Sequence, residues 1–216
     1  MEKSLQRRSF LKLGVTSLVA VGSVAKAAEL CLGPTPQQTE GPFYPIKDQA
    51  DKDWDLVSVK GRKQLAQGEI IFIQGQVLDS ACQPVSDVLV EIWQACNSGK
   101  YNHPNDPNSA ALDPNFQYWG RAITDAEGRY MFRTIKPGAY PADETWWRPA
   151  HIHYKAHKRG YIELTTQLYF EGEAYNNQDK ILQRLPRSEQ EKVVRPIVSS
   201  GNGDKIVTFD MTIEKA

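Results

Sequence analysis

Ile70-Ile71-Phe72-Ile73-Gln74-Gly75-Gln76-Val77-Leu78 is followed by a turn region at 79–86 and then by Val88-Leu89-Val90-Glu91-Ile92-Trp93. Both runs are dense in β-branched and aromatic residues, both are short for a helix, and Pro84 breaks the chain between them. They predict two strands. Downstream, residues 121–124 and 129–133 flank a turn at Asp125-Ala126-Glu127-Gly128 and read as a hairpin. Residues 151–157, 164–170 and the alternating 205–213 read as further strands, and 137–145 as a loop. Ser188-Glu189-Gln190-Glu191 has the spacing of a capping box, which predicts a short helix through Val194 with Pro196 near its end. Seven or so short strands and little helix predict an all-β fold: a β-sandwich of mixed or antiparallel strands with long loops.

Upstream, residues 28–68 hold Pro34, Pro36, Pro42 and Pro45 and show little periodicity. They read as a segment wrapping the surface of a single domain whose body is 69–216. Residues 97–115 form a long loop with Pro104, Pro107 and Pro114, and such a loop inside a compact domain is usually functional. No internal repeat and no second linker is visible.

The 216 residues suffice for one domain with a sizeable core. Lys+Arg equals Asp+Glu at 26 each, but residues 1–27 hold five bases (Lys3, Arg7, Arg8, Lys12, Lys26) and one acid (Glu2). Removing them leaves 21 bases and 25 acids, a net charge of −4. That balance gives no overall field for nucleic acid or an anionic membrane. The bias in residues 1–27 reads as an export signal. Gln6-Arg7-Arg8-Ser9-Phe10-Leu11-Lys12 is similar to a twin-arginine consensus, the apolar run 13–24 is too short to span a bilayer, and Ala25-Lys26-Ala27 fits a cleavage site. The expected location is periplasmic or secreted. Three cysteines, Cys31, Cys82 and Cys96, leave at least one unpaired within a monomer. Cys82 and Cys96 flank one strand of about eight residues, which would hold them roughly 26 Å apart, so any bridge must involve Cys31.

Chemistry concentrates in Trp147-Arg148-Pro149-Ala150-His151-Ile152-His153-Tyr154. On a strand, His151 and His153 share one face and Ile152 takes the other. Two converging imidazoles are half of a metal site. Arg148 adds a permanent charge three residues upstream, and Pro137-Gly138-Ala139-Tyr140-Pro141 offers a phenol just before it. Two histidines with tyrosines suit a ferric centre for phenolic chemistry better than zinc or copper, because phenolate oxygen is a hard anionic donor.

These segments together resemble the intradiol ring-cleavage dioxygenases, nearest the iron-binding subunits of the protocatechuate-cleaving branch. The residues that carry the resemblance run from Gly75 to Glu173 and include Gly99-Lys100-Tyr101, the Pro-Gly-Ala-Tyr-Pro turn, Arg-Pro-Ala-His-Ile-His and Leu164-Thr165-Thr166-Gln167-Leu168-Tyr169-Phe170. Thr39-Glu40-Gly41-Pro42-Phe43-Tyr44 and Phe209-Asp210-Met211-Thr212-Ile213 are similar too. The resemblance implies a non-haem Fe(III) held by Tyr101, Tyr140, His151 and His153, with Tyr140 and His153 axial and Tyr101 and His151 equatorial. It implies that a catechol-type diphenol and O2 are the substrates, that Tyr140 takes a substrate proton, and that Arg148 stabilises charge on the ring. Gln167 matches a glutamine near the reacting oxygens, and Trp93 and Trp147 match aromatic positions lining or supporting the pocket. His103 reads as a loop hydrogen-bonder and His157 as a surface residue. Trp119 and Trp146 read equally as substrate contacts or as packing.

Two departures bear on the substrate. Protocatechuate-type subunits carry tryptophan two residues after the second tyrosine, whereas this chain has Ala142, and the loop from Tyr140 to Arg148 is shorter by about two residues. Both imply a more open pocket. A second subunit completes the pocket in that branch, so a partner subunit or a homo-oligomer is expected here. Catechol 1,2-dioxygenases carry a helical N-terminal dimerisation domain that this sequence does not display. Protocatechuate, catechol, hydroxyquinol and other diphenols remain substrate candidates. The rival of a different class is a non-catalytic exported β-sandwich of transthyretin type, which shares the strand and turn pattern but does not require Arg-Pro-Ala-His-Ile-His.

Overall fold

The computed structural model describes residues 33–49 and 51–216. The segment 1–27, expected to be an export signal, and Cys31 lie outside the described residues.

Two five-stranded sheets and a short ribbon make up the body. β1 (Ile70–Asp79) is the spine of the first sheet. On one side it pairs antiparallel with β4 (Arg129–Ile135) over seven residues. On the other it pairs in parallel with β11 (Lys205–Thr208) and then with β12 (Met211–Ile213), and β10 (Val198–Ser199) closes the edge against β11. The second sheet has the order β3 (Trp119–Ile123), β2 (Leu89–Trp93), β7 (His151–His157), β8 (Leu164–Phe170), β9 (Val194–Arg195). The ribbon pairs β5 (Tyr140–Pro141) with β6 (Trp147–Arg148). The result is the expected mixed β-sandwich.

The core lies between the sheets, where Ile71, Ile73 and Val77 of β1 and Phe132 of β4 meet Val90, Ile92, Ile152, Tyr154 and Leu168, all buried. Strand alternation decides what faces the other way. On β7, Ile152, Tyr154 and Ala156 belong to this core, so His151 and His153 must face the outer side of the second sheet. That outer side is also buried, and there a second cluster of Phe43, Trp93, Ala95, Tyr101, Trp119 and Tyr140 forms.

Four expectations need correction. Residues 119–135 do not form a hairpin: the turn closes (Asp125 N–H donates to the Arg129 carbonyl, 3.0 Å), but β3 pairs with β2 and β4 with β1. Residues 53–56 wedge between the two strands, since Arg121 N–H bonds the Asp53 carbonyl and Arg133 N–H the Trp54 carbonyl. The capping box does not form either. The helix α1 spans Arg187–Val193 with Pro186 as its N-cap, so Ser188 lies inside the first turn and its side chain caps nothing. The 205–213 strand is broken at Phe209-Asp210, where Phe209 N–H bonds the Gln74 carbonyl and Asp210 Oδ1 accepts from Gln76 N–H. Opposite the break, a Cβ on Gly75 would overlap the Phe209 carbonyl, so this strand position tolerates only glycine. Finally, 28–68 does more than wrap the surface: Leu56 and Val57 are fully buried in the main core and Phe43 in the outer cluster.

Cys82 is disulfide-bonded, and Cys96 is free and buried. No helix among the described residues is long and apolar enough to cross a membrane.

Candidate metal centre

Sheet register sets out the floor of the site. Trp119, Trp93, His153 and Gln167 are mutual Cα partners across β3, β2, β7 and β8, and His151 pairs with Tyr169 in the next row. The two imidazoles lie 4.9 Å apart, centroid to centroid. Trp93 stacks flat on His153 at 4.9 Å with an interplanar angle of 11°.

Two loops deliver the phenols. Tyr101 comes from the 97–115 loop, and Asp106 Oδ2 fixes it there by accepting its backbone N–H at 2.6 Å. Its Oη lies 3.3 Å from His151 Nε2. Gly99, at φ +80°, lets this loop pass against Ala139 and Tyr140, where a Cβ would meet the Ala139 carbonyl. Tyr140 sits on β5, edge-on to Tyr101 at 5.5 Å and 5.7 Å from the His151 ring. Structure thus brings Tyr101, Tyr140, His151 and His153 together, each at most 6% exposed.

Protonation follows from burial and partners. His151 Nδ1 lies 2.7 Å from the Pro149 carbonyl, which can only accept, so Nδ1 carries the proton and the Nε2 lone pair faces Tyr101. Burial, reinforced by the Arg148 charge, holds both imidazoles well below the usual histidine range, so they are neutral. Burial raises both phenols; for Tyr140 the Arg148 charge works against the rise. His153 Nδ1 is buried with no hydrogen-bond partner among the described residues. Two neutral imidazoles and two buried phenol oxygens, one imidazole nitrogen orphaned, form a donor set that fits a hard, highly charged cation able to displace phenol protons. Among the described residues no group of three or more His, Cys, Asp or Glu is placed to hold a metal.

Arg148 lies beside this set, almost wholly buried. Its Nε donates to Asp179 Oδ2 at 2.7 Å, and its Nη2 donates to Gln167 Oε1 at 2.6 Å and to Tyr169 Oη at 3.3 Å. Gln167 is fully committed: its Oε1 also accepts from Tyr169 Oη at 3.0 Å, and its Nε2 donates to the Thr39 carbonyl at 3.0 Å. It therefore holds Arg148 and the N-terminal segment together.

Sequence reading missed several participants. Phe43 packs on Tyr101 at 4.7 Å, Gln38 Oε1 accepts the Gln167 backbone N–H at 2.9 Å, and the backbone of Gly41, at φ +74°, closes against the edge of the His153 ring. Asp106 and Asp179 were also missed. Each is a single acid in a loop, with no periodicity or motif to mark it; only Thr39-Glu40-Gly41-Pro42-Phe43-Tyr44 pointed to this neighbourhood. Trp147 must be reassigned: it is 44% exposed, on the opposite side of β6 from Arg148, and stacks on Tyr175 at 5.5 Å. Trp119 packs near Tyr44 at 6.2 Å, while Trp146 lies under the Arg148 and Lys180 cations. His103 accepts Asn105 N–H at Nδ1, which makes it a loop hydrogen-bonder, and lines a cavity of about 480 Å³ with Phe43, Trp93 and Tyr101.

Two tyrosines and a buried arginine brought over the outer face of the histidine-bearing sheet are the arrangement found here, and the chain belongs to the intradiol dioxygenase family: residues 39–215 match the family model described as Dioxygenase. More narrowly, the chain is 43% identical over 158 residues to the protocatechuate 3,4-dioxygenase beta chain of Burkholderia cepacia, covering 71% of this chain and 66% of that one. It is 30% identical over 159 residues to a chlorocatechol 1,2-dioxygenase of Pseudomonas sp. (strain P51), covering 68% and 59%. The chain thus spans less than two thirds of the length of these curated relatives. Among solved structures, the dioxygenase domain of a dioxygenase carbohydrate-binding protein fusion from Streptomyces sp. SirexAA-E superposes with a TM-score of 0.65 at 32% identity, covering 85% of this chain and 100% of that one.

Proposed function

We propose that this protein cleaves the ring of a catechol-type diphenol with O2, between the two hydroxyl-bearing carbons, to give a muconate-type diacid. Both atoms of O2 enter the product. A protocatechuate-like diphenol is the favoured substrate, supported by the 43% identity to a protocatechuate 3,4-dioxygenase beta chain; catechol and hydroxyquinol are the alternatives. The observation that carries the reading is the convergence of Tyr101, Tyr140, His151 and His153, with Tyr101 Oη 3.3 Å from His151 Nε2, beside a buried arginine.

Those four side chains would hold a non-haem Fe(III), with Tyr101 and Tyr140 as phenolates. When bound, ferric iron supplies a Lewis-acidic, electron-accepting centre that binds the diphenol as its dianion and makes the ring reactive toward O2. The chain's own residues do the rest. Tyr140 Oη, a phenolate in the loaded site, would accept one substrate proton as the diphenol enters, the other passing to solvent. His151 keeps Nε2 directed inward because Pro149 holds its other nitrogen. The Arg148 guanidinium, locked by Asp179 and Gln167, presents fixed positive charge where negative charge develops on the ring. Phe43 and Trp93 exclude water from the ligand oxygens and rings.

We also propose export through the twin-arginine pattern at residues 6–12, and a second subunit or second copy completing the pocket near Ala142. An oxygen-electrode panel of protocatechuate, catechol and hydroxyquinol tests the reaction. One O2 consumed per diphenol with a diacid product supports it. Iron-loaded protein that consumes no O2 with any of them would leave the binding-module reading.

A further inference from the structure

We infer that Asp179 is the positioning residue for Arg148, setting its orientation and balancing its charge before substrate arrives. The inference rests on the proposed reaction and deepens it.

The pair is drawn from distant parts of the chain and is sealed from water: the Arg148 side chain is 5% exposed and the Asp179 side chain 0%. A guanidinium held only at Nη2 could rotate about that contact. Here Nε is fixed by Asp179 and Nη2 by Gln167, so two acceptors on different elements define the plane of the fork. The carboxylate is itself aimed. Its second oxygen, Oδ1, accepts the backbone N–H groups of Ile181 and Leu182 at 3.1 and 2.7 Å, tying it to the start of the 3₁₀ turn Leu182–Arg184. Leu182, 1% exposed, anchors that turn in the main core. The chain of support therefore runs from the core, through that turn, to the Asp179 carboxylate, to Arg148, and so to the edge of the phenol–imidazole set.

The charge matters as much as the direction. An arginine this deeply buried with no counter-ion would repel any cation loaded at the neighbouring donors and would hold an anionic diphenol too tightly before reaction. Paired with Asp179, the guanidinium keeps its directional hydrogen bonds and its charge at the edge of the site, while its excess field farther away is reduced. Asp179 makes no hydrogen bond to the phenols or imidazoles, and its charge reaches Tyr140 only as the smallest of several influences on that phenol, so its directional effect passes through Arg148.

The test uses Asp179→Asn, which keeps the shape and one acceptor oxygen, together with Arg148→Gln and the double variant. The double variant buries no lone charge and so remains foldable. Asp179→Asn is expected to lower kcat about 100-fold, as for loss of one preorganised charge-stabilising donor, with little change in KM and with the visible band of the iron-loaded protein unchanged. Adding it to Arg148→Gln is expected to produce no further loss. In metal-free, ¹⁵N-labelled protein the Arg148 Nε–H should exchange slowly with solvent, and Asp179→Asn should abolish that protection. The inference is overturned if Nε–H protection survives Asp179→Asn, or if the same fold-loss persists in the Arg148→Gln background, which would assign Asp179 to the turn alone. Wild-type protein that cleaves no diphenol would sink the reaction but leave the Nε–H measurement to decide the pairing by itself.

Discussion

Tyr140 and Arg148 are direct Cα partners across the β5–β6 ribbon, and both side chains point inward while Pro141 and Trp147 point out. One ladder step thus fixes the spacing between a candidate ligand oxygen and the Arg148 guanidinium. The Arg148 charge is also what holds the Tyr140 phenol back from the rise that burial imposes on it. Residues 137–145, read from sequence as a plain loop, are in part this ribbon.

Gln167 should be a positioning residue rather than a group on the reacting oxygens, because both ends of its amide are taken. Gln167→Leu leaves Arg148 Nη2 with only its longer contact to Tyr169 Oη, and removes the acceptor of the Tyr169 hydroxyl and the donor to the Thr39 carbonyl. At about 1–3 kcal/mol for a buried group left unsatisfied, we expect a loss of about 3 kcal/mol or more by denaturant titration. Gln167→Glu, which still accepts from Arg148, should retain more activity than Gln167→Leu. Equal activity in the two variants would contradict the positioning role.

Ferric iron binding should release about two protons per ion, one from each phenol. Burial keeps Tyr101 and Tyr140 above the usual phenol range and keeps His151 and His153 well below the usual imidazole range. At neutral pH the metal-free site therefore holds two phenol protons and no imidazolium. Apparent affinity should rise with pH by about a hundredfold per unit while both phenols remain protonated, and fall correspondingly as pH drops. Titration with a chelated ferric salt in two buffers of different ionisation enthalpy gives the count. Release of no protons would exclude the phenols as ligands.

Gly75→Ala should destabilise the fold without touching the site. Its Cβ would collide with the Phe209 carbonyl, which already accepts from the Tyr130 hydroxyl, and both partners belong to the packed centre of the first sheet. We expect a loss of about 3 kcal/mol, the upper part of the range for overpacking, seen as a lower melting temperature with an unchanged metal-site spectrum. A melting temperature equal to wild type would show that the break at Phe209-Asp210 gives way freely.

Local signals carried most of this molecule. The strand runs at 70–78 and 164–170 and the i, i+2 histidines on β7 were legible because alternation is a property of neighbouring residues. What escaped was decided by distant chain. The turn at 125–128 looks like a hairpin turn from sequence, but residues 53–56 separate its two strands into different sheets. Ser188 has the spacing of a cap, yet the helix takes Pro186 as its N-cap and so starts two residues too early for Ser188 to act. Asp179 meets Arg148 across 31 positions of sequence, and Gln38 meets Gln167 across 129, separations at which no periodicity operates.

The most direct test is the visible absorption spectrum of the purified iron-loaded protein, recorded before and after anaerobic addition of protocatechuate or catechol. We predict a broad phenolate-to-iron charge-transfer band that shifts on adding the diphenol and is lost or strongly weakened in Tyr101→Phe. A protein that binds iron but stays colourless, or one whose band is untouched by Tyr101→Phe and Tyr140→Phe, would contradict a ferric centre built on these two tyrosines.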